Sequence, residues 1–170
     1  MSKPENLEDL YIDELKDLWS ANDQMNRALK KLTKKVSDEK LQRMLEKSQA
    51  GIEKHTEVLK ELIKAAGEKP SKEHCKGMEG LVTEATKHLI EEGPDRGPVW
   101  DALMIAQYQR MSHYGIAGFG TAKAYAEALG EKDAVKKLDK ATAEIYSADE
   151  YGTKLAESSV NLQAANAEAE

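Results

Sequence analysis

Gln107-Tyr108-Gln109-Arg110-Met111-Ser112-His113-Tyr114-Gly115-Ile116-Ala117-Gly118-Phe119-Gly120-Thr121 puts polar side chains and glycines where an amphipathic helix should turn an apolar stripe inward. Apolar residues recur on both sides of it at steps of three and four, which predicts a long helix from Val99 to about Leu129. One face of that helix carries Val99, Ala102, Leu103, Ala106, Arg110, His113, Ala117, Gly120 and Ala124, and beside it lie Ile105, Gln109, Ser112, Ile116 and Phe119. Both faces turn polar at mid-length. The small residues at 115, 117, 118 and 120 imply the close approach of another helix, since each mid-helix glycine costs up to about 1 kcal/mol relative to alanine.

Upstream, Gly93-Pro94-Asp95-Arg96-Gly97-Pro98 is the strongest break in the chain, with Pro98 placed as a first helical residue. Downstream, Leu129-Gly130-Glu131-Lys132-Asp133 makes a tight joint. The last helix, about Asp133 to Ser158, then turns Leu138, Ala141, Ile145, Ala148 or Asp149, Gly152 and Leu155 inward. Before the break, Ser71 is expected to cap a shorter helix from Cys75 to about Glu91, whose apolar residues are Met78, Leu81, Val82, Ala85, Leu89 and Ile90. It reads as a crossover. Two long helices precede it. The first, about Leu7 to Val36, bears the stripe Leu15, Leu18, Asn22, Met25, Leu29, Leu32 and Val36. Ser37-Asp38 ends it and caps the second, which bears Leu41, Leu45, Ser48, Ile52, His55, Leu59 and Leu62 and closes at Gly67 and Pro70. The joint is short enough to make the two antiparallel neighbours.

Composition agrees with an all-α chain. Of 170 residues, 40% are apolar and 33% charged, with 4 prolines and a single Phe, where a β-sandwich would favour aromatic residues. The length suits one domain, taken as residues 1–160 with a tail at 161–170 expected to fray or lie on the surface. A net charge of −6 spread along the chain provides no concentrated positive field, so nucleic acid is not expected as a partner. No apolar run is long enough for a membrane span, and the charged start lacks the apolar core of a signal peptide, so the chain is expected in the cytoplasm, away from membranes. One cysteine, Cys75, can form neither an internal disulfide nor a thiolate metal cage. Its spacing from His74 and His88 does not make a catalytic dyad.

Asn22, Ser48, His55, Ser112, His113 and Asp149 all fall near mid-length on faces expected to point inward, which describes a bundle with a polar layer across its waist. Carboxylate metal bundles share that layout, because hard divalent cations need several anionic oxygens with imidazole in a closed shell. Their Glu-x-x-His signature is absent: Ile52 precedes His55 at −3 and Arg110 precedes His113. The inward carboxylates reduce to Asp149, with Glu14 and Glu144 at the edges. His55 and His113 read first as buried histidines bonded to polar neighbours.

Several segments carry a resemblance: Leu10-Tyr-Ile-Asp-Glu-Leu-Lys-Asp17, Ala28-Leu-Lys-Lys-Leu32, Cys75-Lys-Gly-Met-Glu-Gly-Leu81, Asp101-Ala-Leu-Met-Ile-Ala106, His113-Tyr-Gly-Ile-Ala117, Gly120-Thr121 and Ala126-Glu-Ala-Leu-Gly130. Together they resemble the YciE/YciF family of ferritin-like bacterial proteins, from about Leu7 to Gln163. The resemblance implies a ferritin-like up-down four-helix bundle with one additional short crossover helix, association as a homodimer, a link to stress responses, and a metal centre. It also implies where that centre should be. A first-helix Glu of the family falls on Asn22, a second-helix Glu-Thr on Gly51-Ile52, a Glu-His-Tyr-Glu pattern on Ser112-His-Tyr-Gly115, and the central Glu of the last helix on Ile145, leaving Glu144 and Asp149.

The leading expectation is therefore a metal-free bundle without cofactor or enzymatic activity, a structural or stress-associated, partner-binding homodimer whose centre survives only as Asn22, Gly51, Ser112, Gly115 and Ile145. A second is a redox or metal-handling protein that holds iron or manganese at a reduced site of His55, His113, Glu144 and Asp149. A third is a carrier of a small apolar ligand, in a cavity left where Gly51 and Gly115 stand for glutamates.

Overall fold

Asn6 starts the first helix by accepting a hydrogen bond from the Asp9 N–H at 2.9 Å, and Asp38 starts the second by accepting from Lys40 and Leu41. These helices are α1 (Leu7–Leu32) and α2 (Glu39–Ala65) of a computed structural model that describes residues 3–167. A short helix, α3 (Lys76–Thr86), follows, and its last turn loosens into a π turn at Lys87–Glu91. Pro98 opens α4 (Pro98–Leu129), which Gly130 ends in the left-handed conformation, at φ 79°. The chain then forms α5 (Lys132–Leu155), a second π turn at Ala156–Val160, and α6 (Asn161–Ala165). Of the tail 161–170, expected to fray or lie on the surface, residues 161–167 lie mostly on the surface but are helical to Ala165 and pack on α4, and 168–170 fall outside the described residues. Among the described residues there is no strand, and no helix long and apolar enough to cross a membrane.

The cap of α3 differs from the expectation at Ser71. Cys75 is the capping residue, its sulfur accepting from the Met78 N–H at 3.3 Å. The reason lies in α1: the Cys75 N–H donates to Ser20 Oγ and its carbonyl accepts from Gln24 Nε2, so the chain is pinned in a non-helical conformation as far as Cys75.

α1 packs against α2 and α4, and α5 against α4 and α2, so the long helices form a ring in the order α1, α2, α5, α4. Side-chain pairs fix the directions. Asp101, at the start of α4, meets Ser37 and Asp38 beyond the end of α1; Lys137, near the start of α5, meets Glu61 near the end of α2; Lys123 of α4 meets Asp139 of α5. Every neighbouring pair is thus antiparallel, and the diagonal pair α2 and α4 run the same way. A chain that leaves α2 must return along the bundle before α4 can begin, and the segment holding α3, laid against α1 and α4, makes that return. Two antiparallel hairpins joined by one long crossover make the ferritin-like topology.

Of the two bands expected on α4, the flanking one is buried at Ile105, Ser112, Ile116 and Phe119, while much of the band through Val99 and His113 faces out. Trp100, Met104, Tyr108, Met111, Ser112, Phe119 and Ala122 are buried, whereas Val99, Arg110, His113, Ala117 and Ala124 are exposed, with 61% of the His113 side chain accessible. α1, α3 and α5 all lie against α4, so its buried band is too wide to leave one clean stripe, and alanines that count as apolar sit at the solvent edge.

The core divides in two. One cluster gathers Met25, Leu29, Leu41, Leu45, Met78, Trp100 and Met111; the other gathers Leu15, Leu18, Leu59, Ile63, Phe119 and Leu138. Asn22 falls between Leu18 and Met25 on α1, and His55 between Ile52 and Leu59 on α2, so the polar layer expected at the waist separates the two clusters.

Candidate ligand cavity at the bundle waist

At that waist the helices part around a cavity of about 830 Å³, bordered by residues of α1 to α5. Asn22, Gly51, Ser112, Gly115 and Ile145 all border it. The two glycines open it: a Cβ built on Gly51 meets nothing within 4 Å, and one on Gly115 meets only Ile145 Cδ1, at 3.6 Å. Each polar side chain there is placed by its helix neighbours. Asn22 Nδ2 donates to Thr56 Oγ1 at 3.3 Å, and Thr56 passes its own proton back to the Ile52 carbonyl at 2.8 Å. Ser48 Oγ and the Tyr108 hydroxyl share a hydrogen bond of 2.9 Å, and burial pushes that phenol above its ordinary range. Ser112 also borders the cavity, with its Oγ buried beside the Tyr108 hydroxyl rather than open to the space.

The four residues of the reduced metal site form two separate pairs. His55 Nε2 lies 2.8 Å from Glu144 Oε2, joining α2 to α5, and both residues border the cavity. His113 Nε2 lies 3.1 Å from Asp149 Oδ2, joining α4 to α5, and neither residue borders it. The hydrogen bond from His55 holds the Glu144 carboxyl below the usual glutamate range. Among the described residues no three of His, Cys, Asp or Glu come close enough together to hold a metal ion. Iron or manganese needs several carboxylate oxygens around it, and the cavity lining offers one carboxylate, already engaged by imidazole. The residues present do not fit a two-metal centre.

Cys75 does not supply a nucleophile either. It is buried, its Sγ donates to the Tyr114 hydroxyl at 3.0 Å, and Tyr114 donates to Asp17 at 2.7 Å. Burial pushes the thiol upward, away from the reactive thiolate. His74 faces Glu79, and His88 faces Glu84 and Glu92, so neither imidazole turns to the sulfur.

Two parts of the lining were not anticipated from sequence. Four of the chain's six methionines, Met25, Met44, Met78 and Met111, border the cavity from four different helices. Its rim carries Lys40, Arg43, Lys47 and Lys54 of α2 with Lys140 of α5. Lys40, Lys47 and Lys54 are spaced by seven residues, the helical repeat that places them on one side of α2, and that spacing was the available signal.

Fold and site together define an all-α ferritin-like bundle with a cavity at its waist. The chain matches the family described as "Domain of unknown function (DUF892)" over residues 6–165, and it belongs to that family. It is 36% identical over 164 residues to Protein YciF of Escherichia coli (strain K12), covering 94% of this chain and 96% of that one. The crystal structure of the E. coli stress protein YciF superposes with a TM-score of 0.85 at 33% identity, over 93% of this chain and 99% of that chain. YcfI of Rhodopseudomonas palustris, for which a structural role has been suggested, superposes with a TM-score of 0.84 at 31% identity, over 90% of this chain and 97% of that chain. These matches bear out the resemblance carried by segments such as Cys75 to Leu81 and His113 to Ala117.

Proposed function

We propose that this chain is a metal-free, non-catalytic, stress-associated bundle whose working part is the waist cavity, used to hold a small molecule. The descriptions of its relatives, a stress protein and a suggested structural protein, support a role outside catalysis. The observation that carries the rest is the composition of the waist. All five positions that the resemblance assigns to lost metal ligands border one cavity, and a single carboxylate, Glu144, borders it with them. Without several carboxylates a hard dication has nothing to replace its water, whereas the methionines and glycines leave an apolar space of ligand size. The homodimer, a protein partner and a cytoplasmic location belong to the same proposal, and light scattering of the purified chain tests the first.

Metal analysis tests the central point. Protein purified without chelator and incubated with iron(II) or manganese(II) should retain well below one equivalent after desalting. Retention near two equivalents, with a matching rise in melting temperature, would overturn the metal-free reading. Neutral apolar molecules that enter the cavity should raise the melting temperature where metal ions do not, because a ligand bound only by the folded state stabilises it.

A further inference from the structure

Resting on the cavity reading above, the geometry points to a specific chemical class of occupant: an amphipathic anion, an alkyl chain ending in a carboxylate. The interior supplies the site for the chain. Met25, Met44, Ile52, Met78, Met111 and Ile145 border it, and unbranched methionine side chains reshape around a flexible alkyl group at little cost. The rim supplies the site for the head. Five cations, Lys40, Arg43, Lys47, Lys54 and Lys140, border the cavity with one carboxylate, although the chain as a whole carries a net charge of −6. That carboxylate, Glu144, is hydrogen-bonded to His55, and Lys140 Nζ lies 3.9 Å from its other oxygen. Arg43 is 3.3 Å from Glu39 in an exposed pair, and among the described residues Lys47 and Lys54 belong to no ion pair. A neutral ligand would gain nothing from such a rim, and a cationic one would be repelled by it.

Calorimetric titration of the full chain with decanoate, 1-decanol and decylammonium, below the concentrations at which they form micelles, separates the possibilities. Decanoate should bind about tenfold more tightly than decanol, as expected for two or three partly exposed ion pairs, and decylammonium more weakly than either. The preference should shrink toward unity at about 1 M salt, where the Debye length is about 3 Å. Lys47→Glu and Lys54→Glu together should abolish the preference and leave decanol affinity within about twofold, since both side chains are exposed and neither is part of the apolar interior. Gly51→Phe, which puts a ring into the open space beside that helix, should block all three ligands. Equal binding of decanoate and decanol would overturn the anion inference and leave the cavity reading intact. Binding of none of them would overturn both. Decanoate binding that survives Gly51→Phe with helicity unchanged would place the ligand elsewhere and also overturn both. The charge-reversed pair decides the anion question even if Gly51→Phe fails to fold.

Discussion

Two carboxylates show how single side chains set the stability of this bundle. Glu14 of α1 is half-buried, without an ion-pair partner among the described residues, and burial together with nearby Asp17 raises its pKa. A carboxyl whose folded pKa is raised favours the folded state while protonated, and that advantage is lost as pH climbs from the ordinary glutamate range through the folded value. Glu14→Gln should therefore raise the melting temperature at pH 7 and leave it nearly unchanged below about pH 4, each kcal/mol gained appearing as roughly 2–4 °C. Thermal scans of the two proteins across that range check it, and an equal shift at both ends would contradict it. Asp101 is also pushed up by burial, but it acts mainly as an acceptor for backbone donors. Its two oxygens accept the Ser37 and Asp38 N–H groups at 3.0 and 2.8 Å while the residue is 2% exposed, so Asp101→Ala strands two backbone donors and should cost about 2–4 kcal/mol in denaturant unfolding. Neither role is legible from sequence, where Glu14 is an edge carboxylate and Asp101 part of a family segment, because the packing beside Gly118 that covers Glu14 and the backbone donors that Asp101 accepts come from distant parts of the chain.

At the scale of helices, the glycines of α4 divide by what lies over them. A Cβ on Gly118 would meet Leu18 Cδ2 at 2.5 Å and Glu14 Oε1 at 2.9 Å, and Leu18 is fully buried with nowhere to move. Gly120, two residues on, would meet nothing within 4 Å. Gly118→Ala should destabilise by about 1–3 kcal/mol through overpacking, and Gly120→Ala should stabilise by up to about 1 kcal/mol through helix propensity. Paired urea titrations decide it, and the two substitutions moving in the same direction would sink the argument. The sequence predicted that small residues here meant a close helix, and Gly118 against Leu18 bears this out. It could not say which small residue makes the contact, since that depends on the rotation of α4. The same rotation hid the inward face. Leu15, Leu18, Leu29, Leu41, Leu45, Leu59 and Leu62 repeat cleanly along α1 and α2, whereas α4 is packed by α1, α3, α5 and α6 over a wider band and its period is blurred. His113 was expected inside for that reason and is mostly exposed. The waist site was legible as a set of positions, through Asn22, Gly51, Ser112, Gly115 and Ile145. As a cavity it was not, because its volume depends on how far four helices stand apart.

Across the whole molecule, the polar waist leaves an apolar cluster at either end of the same helices, and the chain's two tryptophans fall one to each. Trp100 is fully buried in the first cluster and donates its indole N–H to the Leu89 carbonyl at 2.8 Å, so it also anchors the end of the crossover. Trp19 packs on the second cluster, half-buried under the Lys60 ammonium at 5.1 Å. α1, α2 and α4 each run through both clusters, so the halves should melt as one cooperative unit despite the layer between them. The division thus supplies a pair of internal fluorescent reporters. Trp19→Phe leaves an emission that follows the crossover half alone, and Trp100→Phe one that follows the other, with each compared against its own circular dichroism melt. Coincident midpoints within each variant are the expected result. A fluorescence midpoint that departs from the helicity midpoint would show the waist to be a seam along which this bundle comes apart.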